Sequence, residues 1–513
     1  MPRLFKLVSI FATTITFAAT PALAQKSADT LRIAINNPFA VLSNYDLPLD
    51  EAAIFWREIY DLLLTYDEHK KKFVPALAKS WKRIDDKTLE FELRDDIKWH
   101  NGDPFEAVDV KGTVDYVIDP KSKITYQGRF MFMDRIEILG PHKFRLHMNT
   151  RNSTDLMILA YRLPIHDGKL LAKMADKQDY GRINPIGTGP YKATSINTNR
   201  GVFVERHDGY NTAPAYKKAA VKRLHGIPMP DKQTQTAQLM VGGVDLLRAV
   251  SPDAAKALTE SNPNIEVTYV SADNLFYLAL DSVGLSPNKA LSDKRVRRAI
   301  SMGVDRESVI KYIIPGGHVA EHIQADCFKA TISCKYSMLP PKYDPDGAKK
   351  LLAEAGYPNG LDVNYLVFAP YKAIAEAIAG DLHKIGVRMK VQAADISLYR
   401  RLQGDGKLEA WSILFPTGAF PDSSNIFNVL FSGPAMKYYN DAVIADAVAK
   451  AENEFDVDRR ADIYMHAYNR INEMSYHLPI SSVPNVYVHS KDVAIKTNAF
   501  SASENYVSDY VWR

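Results

Sequence analysis

The chain reads LAKSWKRIDDKTLEFELRDDIKWHNGDPFEAVDV over Leu77–Val110, and this stretch carries its strongest fold signal. Apolar and polar residues alternate over 88–93, as along a strand with one buried face. The polar residues at 85–87 predict a turn before this strand, and the residues at 100–104 include the Gly and Pro of a second turn. A helix is expected from 107 onward. The stretch therefore predicts two strands, two turns and the start of a helix.

Three further motifs follow in order. Residues 187–191 read GTGPY, and the proline and strand-like residues after it leave no helix N-terminus for a nucleotide phosphate. A predicted strand over 275–281 leads into a D-x-R-V-R-x-A helix within 291–306. A third helix is expected within 343–357, where Asp344 suits the N-cap position.

The D-x-R-V-R-x-A helix carries basic residues that could suggest an anion site. Its spacing favours packing instead, because Val296, Ala299 and Ile300 form one apolar stripe. Arg295 and Arg297 are expected to flank that stripe. Farther on, a strand, a helix and another strand are expected within 361–391, an order that predicts a parallel sheet covered by helices.

These motifs, in this order, resemble the family 5 extracellular solute-binding proteins, the dipeptide, oligopeptide and nickel binders of ABC importers. The resemblance covers about residues 30 to 500. It implies an α/β fold, namely a two-lobed periplasmic binding protein of type II with an extra domain. Mixed sheets would be covered by helices, and the ligand cleft would lie between the lobes.

The resemblance also implies three structural domains. Domain I would be discontinuous and would consist of residues 25–52, 185–274 and 481–513. Domain II would be an insert at 53–184, and domain III would be formed by 275–480. Ligand would be enclosed as the lobes close about hinge strands, since an enclosed ligand contacts both lobes.

The N-terminus predicts a secretory signal peptide at residues 1–24. Arg3 and Lys6 form a basic segment, an uncharged apolar run follows, and an A-x-A cleavage site precedes Gln25. The apolar run is too short to span a bilayer, and no later run is long enough. A lipoprotein would need cysteine in place of Gln25. The mature protein is therefore expected in the periplasm of a Gram-negative cell.

Composition is typical of a globular protein, with 46% hydrophobic and 24% charged residues among 513. Loss of Arg3 and Lys6 with the signal peptide lowers the formal net charge from +4 to +2. So small a net positive charge, without a long run of basic residues, argues against nucleic acid as a partner. We expect no cofactor.

The two cysteines, Cys327 and Cys334, favour a local disulfide in an oxidising compartment. A metal site is the alternative, because the residues from His318 to His322 fit the H-x-x-E-H pattern. That pattern needs a helix with both imidazoles on one face, whereas the Pro-Gly-Gly at 315–317 indicates a loop. The disulfide is the preferred interpretation, and no metal is expected.

The resemblance places a ligand-binding segment at 418–427, GAFPDSSNIF. Peptide binders of the family have there a stretch like GDYPDPDNF, whose first aspartate pairs with the α-ammonium of the peptide. Ala419 stands at that position in this chain. A buried cation without a counter-charge costs several kcal/mol, which disfavours an ordinary free-amine peptide as ligand. Asp422 either supplies the charge or serves as a turn or helix cap.

Other candidates follow from family position. They lie after the first mature strand, on the strand that enters the third domain, and beside the strand that ends at the cleft. Ordinary packing is the alternative role for each side chain. The predicted ligand-binding residues are Asn37, Phe39, Phe276, Tyr277, Phe415, Thr417, Ala419, Phe420 and Asp422.

The favoured function is delivery of a peptide or peptide-like ligand to the membrane permease of an ABC transporter. An exported hydrolase is disfavoured, because the sequence has no G-x-S-x-G elbow and no H-E-x-x-H motif, so we expect no enzyme. A sensor that presents its ligand to a receptor would use the same closed form. The loss of the carboxylate at Ala419 leaves an opine, a sugar derivative or a metal chelate as alternative ligands. The resemblance implies a monomer.

Overall fold

The structure is a computed structural model that describes residues 29–46, 50–67, 70–183, 185–212, 219–270, 274–314, 316–317, 320–328, 331–416, 421–431, 437–496 and 506–513. Its strands are β1 (Thr30–Ile35), β2 (Leu64–Asp67), β3 (Lys72–Pro75), β4 (Ala78–Asp85), β5 (Thr88–Leu93), β6 (Met133–Gly140), β7 (Lys143–Met148), β8 (Tyr191–Asn197), β9 (Gly201–Arg206), β10 (Arg223–Pro228), β11 (Leu246–Leu247), β12 (Ile265–Val270), β13 (Asn274–Leu280), β14 (Leu361–Phe368), β15 (Val387–Ala394), β16 (Ala410–Ser412), β17 (Leu414–Pro416), β18 (His477–Ser482), β19 (Asn485–Ser490), β20 (Val493–Ala494) and β21 (Val511–Trp512).

The helices are α1 (Asp50–Ile59), α2 (Ala107–Ile118), α3 (Asp155–Tyr161), α4 (Gly168–Leu171), α5 (Tyr180–Ile183), α6 (Lys232–Met240), α7 (Pro252–Ser261), α8 (Lys294–Met302), α9 (Arg306–Tyr312), α10 (Pro345–Glu354), α11 (Lys372–His383), α12 (Ile396–Gly404), α13 (Ser423–Leu430), α14 (Ala442–Ala451) and α15 (Val457–Met474). No helix within the described ranges combines the length and apolar character needed to cross a bilayer.

The stretch Leu77–Val110 forms β4, β5 and the start of α2. β4 and β5 pair as an antiparallel hairpin, with Trp81 opposite Phe91. Leu89, Phe91 and Leu93 of β5 are buried in the hydrophobic core as the alternation predicts, but Thr88 and Glu90 on the opposite face are buried too, so the strand is covered on both faces. Among the described residues, β4 and β5 belong to a four-stranded sheet of order β4-β5-β7-β6.

Two larger sheets complete the main architecture. In the described part of the chain, seven strands follow the order β12-β19-β11-β1-β10-β9-β8. A six-stranded sheet follows the order β15-β14-β16-β13-β17, with β18 also paired to β13. β14 and β15 run parallel and are joined through α11, as the β-α-β order of the sequence predicts.

The buried side chains divide the molecule into two lobes. One large cluster joins the seven-stranded and four-stranded sheets, and a smaller one covers part of the seven-stranded sheet. Two other clusters cover the six-stranded sheet. The chain crosses between the lobes from β12 to β13 and from β18 to β19. Each sheet draws its strands from one of the three domains expected from the sequence, apart from a residue or two at its boundaries, and the domain boundaries stay a prediction.

The GTGPY motif packs against the end of α1 in the first lobe. A Cβ atom on Gly187 would lie 1.8 Å from the carbonyl oxygen of Ile59, so only glycine fits there. Gly189 N donates to the same oxygen at 2.8 Å, and His100 N donates to Gly187 O at 2.9 Å. The motif therefore joins α1 to the turn that follows β5. Close packing, rather than phosphate binding, explains its glycines.

Candidate functional site

The predicted ligand segment is held at its N-terminal side by the six-stranded sheet. β17 pairs antiparallel with β13, and Phe415 lies opposite Leu275. The predicted ligand residues Thr417, Ala419 and Phe420 lie outside the described residues. β17 ends at Pro416, directly before them in the chain.

The C-terminal side of the segment is fixed by a neighbouring loop. Ile332 N donates to Pro421 O at 2.7 Å, and Ser423 N donates to Ile332 O at 3.0 Å. Tyr468 Oη donates to Ser423 Oγ at 3.0 Å from helix α15. These bonds fix the backbone at Pro421 and Ser423, and β17 fixes it up to residue 416. We call residues 417–422, which lie between β17 and α13, the anchored segment.

Asp422 has both carboxylate oxygens engaged within the protein. One oxygen accepts from Ser424 N at 2.9 Å and caps α13. The other accepts from Arg460 Nη2 at 2.6 Å, and the two side chains are only 0% and 3% exposed. Arg460 also donates to Ser333 Oγ and to Ser153 O of the other lobe. The geometry gives Asp422 the capping role, and contact with ligand stays a prediction.

The loop after β1 is ordered by one carboxylate. Asn36 N donates to Glu51 Oε1 at 2.6 Å, and Asn37 N donates to Glu51 Oε2 at 2.8 Å. Asn37 also donates through its side chain to Glu51 Oε2 at 3.1 Å, and it is solvent-exposed. Asn37 is therefore a predicted ligand residue that a solute could reach.

Three of the predicted aromatic residues are buried. Phe39 lies 6.2 Å from Phe55 between ring centroids, and Phe276 lies 5.8 Å from Tyr371. Phe415 belongs to a cluster on the other face of the six-stranded sheet. Their burial gives these side chains packing roles in the closed molecule, and contact with ligand stays a prediction for each.

Tyr277 lies beside a buried polar group. Its ring stacks on His477 with centroids 4.5 Å apart. His477 Nδ1 lies 2.6 Å from Asp326 Oδ2, and its Nε2 lies 2.6 Å from Tyr439 Oη. A histidine–aspartate pair is also found in hydrolases, but His477 is 1% exposed and out of reach of a substrate. The group holds the second lobe together.

The structure joins Cys327 and Cys334 in a disulfide, with Cα atoms 6.0 Å apart. The loop between them carries Ile332, which binds both sides of Asp422. Of the alternative metal pattern, His322 forms a backbone bridge and His318 lies outside the described residues. The parts of the chain that the structure covers contain no group of three metal-ligand side chains.

The two lobes touch around the end of α14. Phe455, in the connection between α14 and α15, lies under two guanidinium groups of the other lobe. Arg83 Cζ is 4.1 Å from its ring centroid and Arg151 Cζ is 4.6 Å away. Ser153 Oγ donates to Ala451 O at 3.2 Å. These contacts define a closed arrangement, and we call Phe455 with its two arginines the Phe455 clamp.

A buried ion pair positions the clamp. Arg83 Nη2 lies 2.9 Å and 2.7 Å from the two carboxylate oxygens of Asp155. Burial raises the pKa of Asp155 above its ordinary value, and the charge of Arg83 opposes that rise. Sequence patterns missed the clamp, because Arg83 and Phe455 are far apart in the chain, and the motif that contains Arg83 predicts strands and turns rather than a contact between lobes.

The geometry defines a two-lobed solute-binding protein, and a comparison with protein families gives the same class. The pattern of the bacterial extracellular solute-binding proteins, family 5 Middle, matches residues 72–438, more than half of the chain. The chain belongs to this family. It binds a solute for an ABC transporter permease.

The relatives of the chain share its length. The glutathione-binding protein GsiB of Escherichia coli strain K12 is 24% identical over 485 residues, which is 91% of each chain. HbpA2 from Haemophilus parasuis is 22% identical with a TM-score of 0.77, over 94% of this chain and 100% of that one. DppA from Helicobacter pylori, solved with the peptide STSA, is 21% identical with a TM-score of 0.72, over 95% and 99%. These structures share the fold of this chain.

Proposed function

We propose that the protein captures a peptide-like solute between its lobes in the periplasm and passes it to a permease. The observation that carries the proposal is the anchored segment between β17 and α13. The described residues on its two sides are fixed in the second lobe by the sheet and by the ion pair of Asp422. GsiB is a glutathione-binding protein and DppA was solved with a peptide, and both similarities support a peptide-like ligand class.

Ala419 narrows the proposed ligand. Without a carboxylate at this position, the segment offers no counter-charge to a free α-ammonium there. The neighbouring carboxylate of Asp422 is already neutralised by Arg460. We therefore favour a peptide-like compound whose amine is blocked or modified. An opine, a sugar derivative or a metal chelate is the second candidate, since each also lacks that ammonium contact.

Export through a cleaved signal peptide is part of the proposal. The basic and apolar residues of 1–24 support it, as does the disulfide, since disulfides persist in oxidising compartments. We also propose that the protein has no catalytic activity. The burial of the His477 group supports this, because that group is closed to substrates.

Native mass spectrometry of the mature protein tests the ligand class. Closed lobes bury most of a ligand, so it should survive purification and be released on denaturation. A released peptide-like mass would support the proposal, and a single non-peptide mass would favour the second candidate. A protein that retains nothing, and that no peptide, opine, sugar derivative or metal chelate stabilises in thermal-shift screening, would contradict both.

Two matched variants test the role of Ala419 in ligand selection. Ala419→Asp should improve affinity for free-amine dipeptides and oligopeptides, because it restores a counter-charge. Ala419→Asn, of the same size without the charge, should not. Calorimetry across a mixed peptide library that finds equal affinities for the two variants would contradict the proposed position of this residue.

A further inference from the structure

A cavity of about 420 Å³ lies between the lobes, next to the anchored segment. The first lobe gives one wall through the β2–β3 hairpin, β4 and the residues around the start of α3. The second lobe gives the other wall through Ile332 and the residues around the start of α15, including Arg460. This volume falls within the range of small-molecule sites, about 300–1,000 Å³. Because the walls belong to different lobes, closure forms the cavity.

The guanidinium of Arg83 is the main polar feature of this cavity. Nη2 bonds Asp155, and the flat face lies over Phe455, but Nη1 is buried and has no hydrogen-bond partner among the described residues. A buried N–H of a charged group that lacks an acceptor is costly. Arg83 lines the cavity, so an acceptor that reached Nη1 from it would remove this cost, and an anionic acceptor would do so best.

The charges around the cavity also favour an anion. Its lining residues include four cations, namely Arg83, Arg460, Lys71 and Lys72, and one carboxylate, Asp155. Asp422, which pairs with Arg460, adds a second carboxylate. Cations still exceed carboxylates by two. The two lysines are exposed at the rim, where they would attract an anion without being buried themselves.

The remaining walls are apolar and aromatic. Phe73 and Trp81 line the cavity from the first lobe, together with Tyr66, Leu156 and Met157. Such walls suit a hydrocarbon or aromatic group that leaves water on binding. We propose that this cavity is a second binding site, for a small carboxylate with an apolar or aromatic body. The carboxylate would accept from Arg83 Nη1, and the body would pack on the aromatic wall.

This site is separate from the anchored segment, and the inference does not depend on which solute the cleft takes. The carboxylate has two possible sources. It belongs to a molecule independent of the cleft solute, or it is the acidic end of that solute, extended past Arg460. In both cases an occupant contacts both lobes and therefore stabilises the closed form.

Calorimetry with phenylacetate as probe tests the site, with phenylacetamide as its neutral analogue. We expect phenylacetate to bind the mature protein with a millimolar or lower Kd, and the amide to bind at least about tenfold more weakly, because it cannot form the charged bond. Arg83→Lys keeps the charge beside Asp155 but removes the planar fork. It should weaken phenylacetate binding about fivefold or more.

A filled cavity gives the second test. Val457 lines the cavity at the start of α15, and Val457→Trp should abolish phenylacetate binding. The matched control is Val443→Trp, at the start of α14, which is also exposed and outside the cavity lining. Equal affinity for acid and amide, no binding of either probe, or unchanged binding in Val457→Trp would each overturn the proposal.

Phenylacetate binding to protein that already holds its cleft solute distinguishes the two possible sources of the carboxylate. If phenylacetate still binds to loaded protein, the second site takes an independent molecule. If it competes with the solute, and Val457→Trp alone weakens solute binding, the carboxylate is the end of that solute. Solute binding by wild-type protein that fails to bind phenylacetate would show that failure of the proposed second site leaves the proposed transport function intact.

Discussion

Asp422 and Arg460 form an ion pair that is almost closed to solvent and that fixes three parts of the molecule. The carboxylate lies at the end of the anchored segment and caps α13, and the guanidinium bonds Ser333 and the Ser153 carbonyl of the other lobe. Such a pair adds little net stability against apolar replacements, but removal of one partner strands a buried charge. Its main contribution is therefore the position of the segment.

Asp422→Asn should lower the free energy of unfolding by about 3–5 kcal/mol, because Arg460 then keeps an uncompensated buried charge. Arg459→Met is the control, since Arg459 forms an exposed pair with Glu454 and should cost about 1 kcal/mol or less. Urea unfolding of both variants measures the difference. A loss in Asp422→Asn no larger than that of the control would contradict the role of this pair.

Glu58 predicts a pH dependence of stability. Burial raises its pKa to about 8, while a backbone bond from Ser508 and the charge of Asp509 act in opposite directions on it. In the unfolded chain the carboxyl titrates near its ordinary pKa, so between about pH 4.5 and 8 the folded state holds the extra proton. Stability should therefore fall as pH rises through this range, by at most about 1.4 kcal/mol per unit.

Thermal unfolding of Glu58→Gln from pH 5 to 9 checks this dependence. The variant cannot ionise, so its curve should be flatter and its melting temperature higher than that of the wild type at pH 8. Glu260→Gln, an exposed position on α7, should keep the wild-type profile. An unchanged profile in Glu58→Gln would mean that another group sets the pH response.

Secondary structure was predictable where a local pattern determines it. The alternation of apolar and polar residues predicted β5 at its observed position. The predicted N-cap at Asp344 is also present, since its side chain accepts from Gly347 N at 2.9 Å. The helix with the buried stripe was also placed correctly. Arg297 was expected beside that stripe but is buried, and it donates to the carbonyl oxygens of Leu291 and Ser292. A sequence pattern cannot show that these carbonyls would converge on it.

The candidate site was less predictable than the fold. Family position indicated the segment with Ala419, but the contacts that fix its ends come from a distant loop and from α15. Phe39 and Phe276 lie on the predicted elements, yet their side chains face hydrophobic cores. Alternation along a strand gives two faces, and a strand buried on both faces does not reveal which one approaches a ligand.

The loop closed by Cys327 and Cys334 should couple stability to binding, because it carries Ile332 beside the ligand segment. By loop length, the double variant Cys327→Ser/Cys334→Ser should lose about 2–3 kcal/mol of unfolding free energy. Its solute affinity should also fall. Dithiothreitol should produce both changes in the wild type and neither in the double variant. Equal solute affinity in reduced and oxidised wild type would separate the loop from the site.

Closure of the two lobes depends on the connections between them and on side-chain contacts across them. The connections between β12 and β13 and between β18 and β19 form the hinge side. The Phe455 clamp and the buried contact of Tyr66, Met157 and Ile332 lie away from it. Contacts that exist only in the closed form shift the open–closed equilibrium, and they raise the apparent affinity for any enclosed solute.

Phe455→Ala should therefore speed solute release and weaken affinity about tenfold, because it removes two cation–π contacts of about 0.5–1 kcal/mol each. Phe455→Tyr keeps the ring and should behave as the wild type. Small-angle scattering should show a larger radius of gyration for solute-free Phe455→Ala than for solute-free wild type, since the open form gains population. Stopped-flow release rates that are equal in the two variants would show that the hinge alone determines closure.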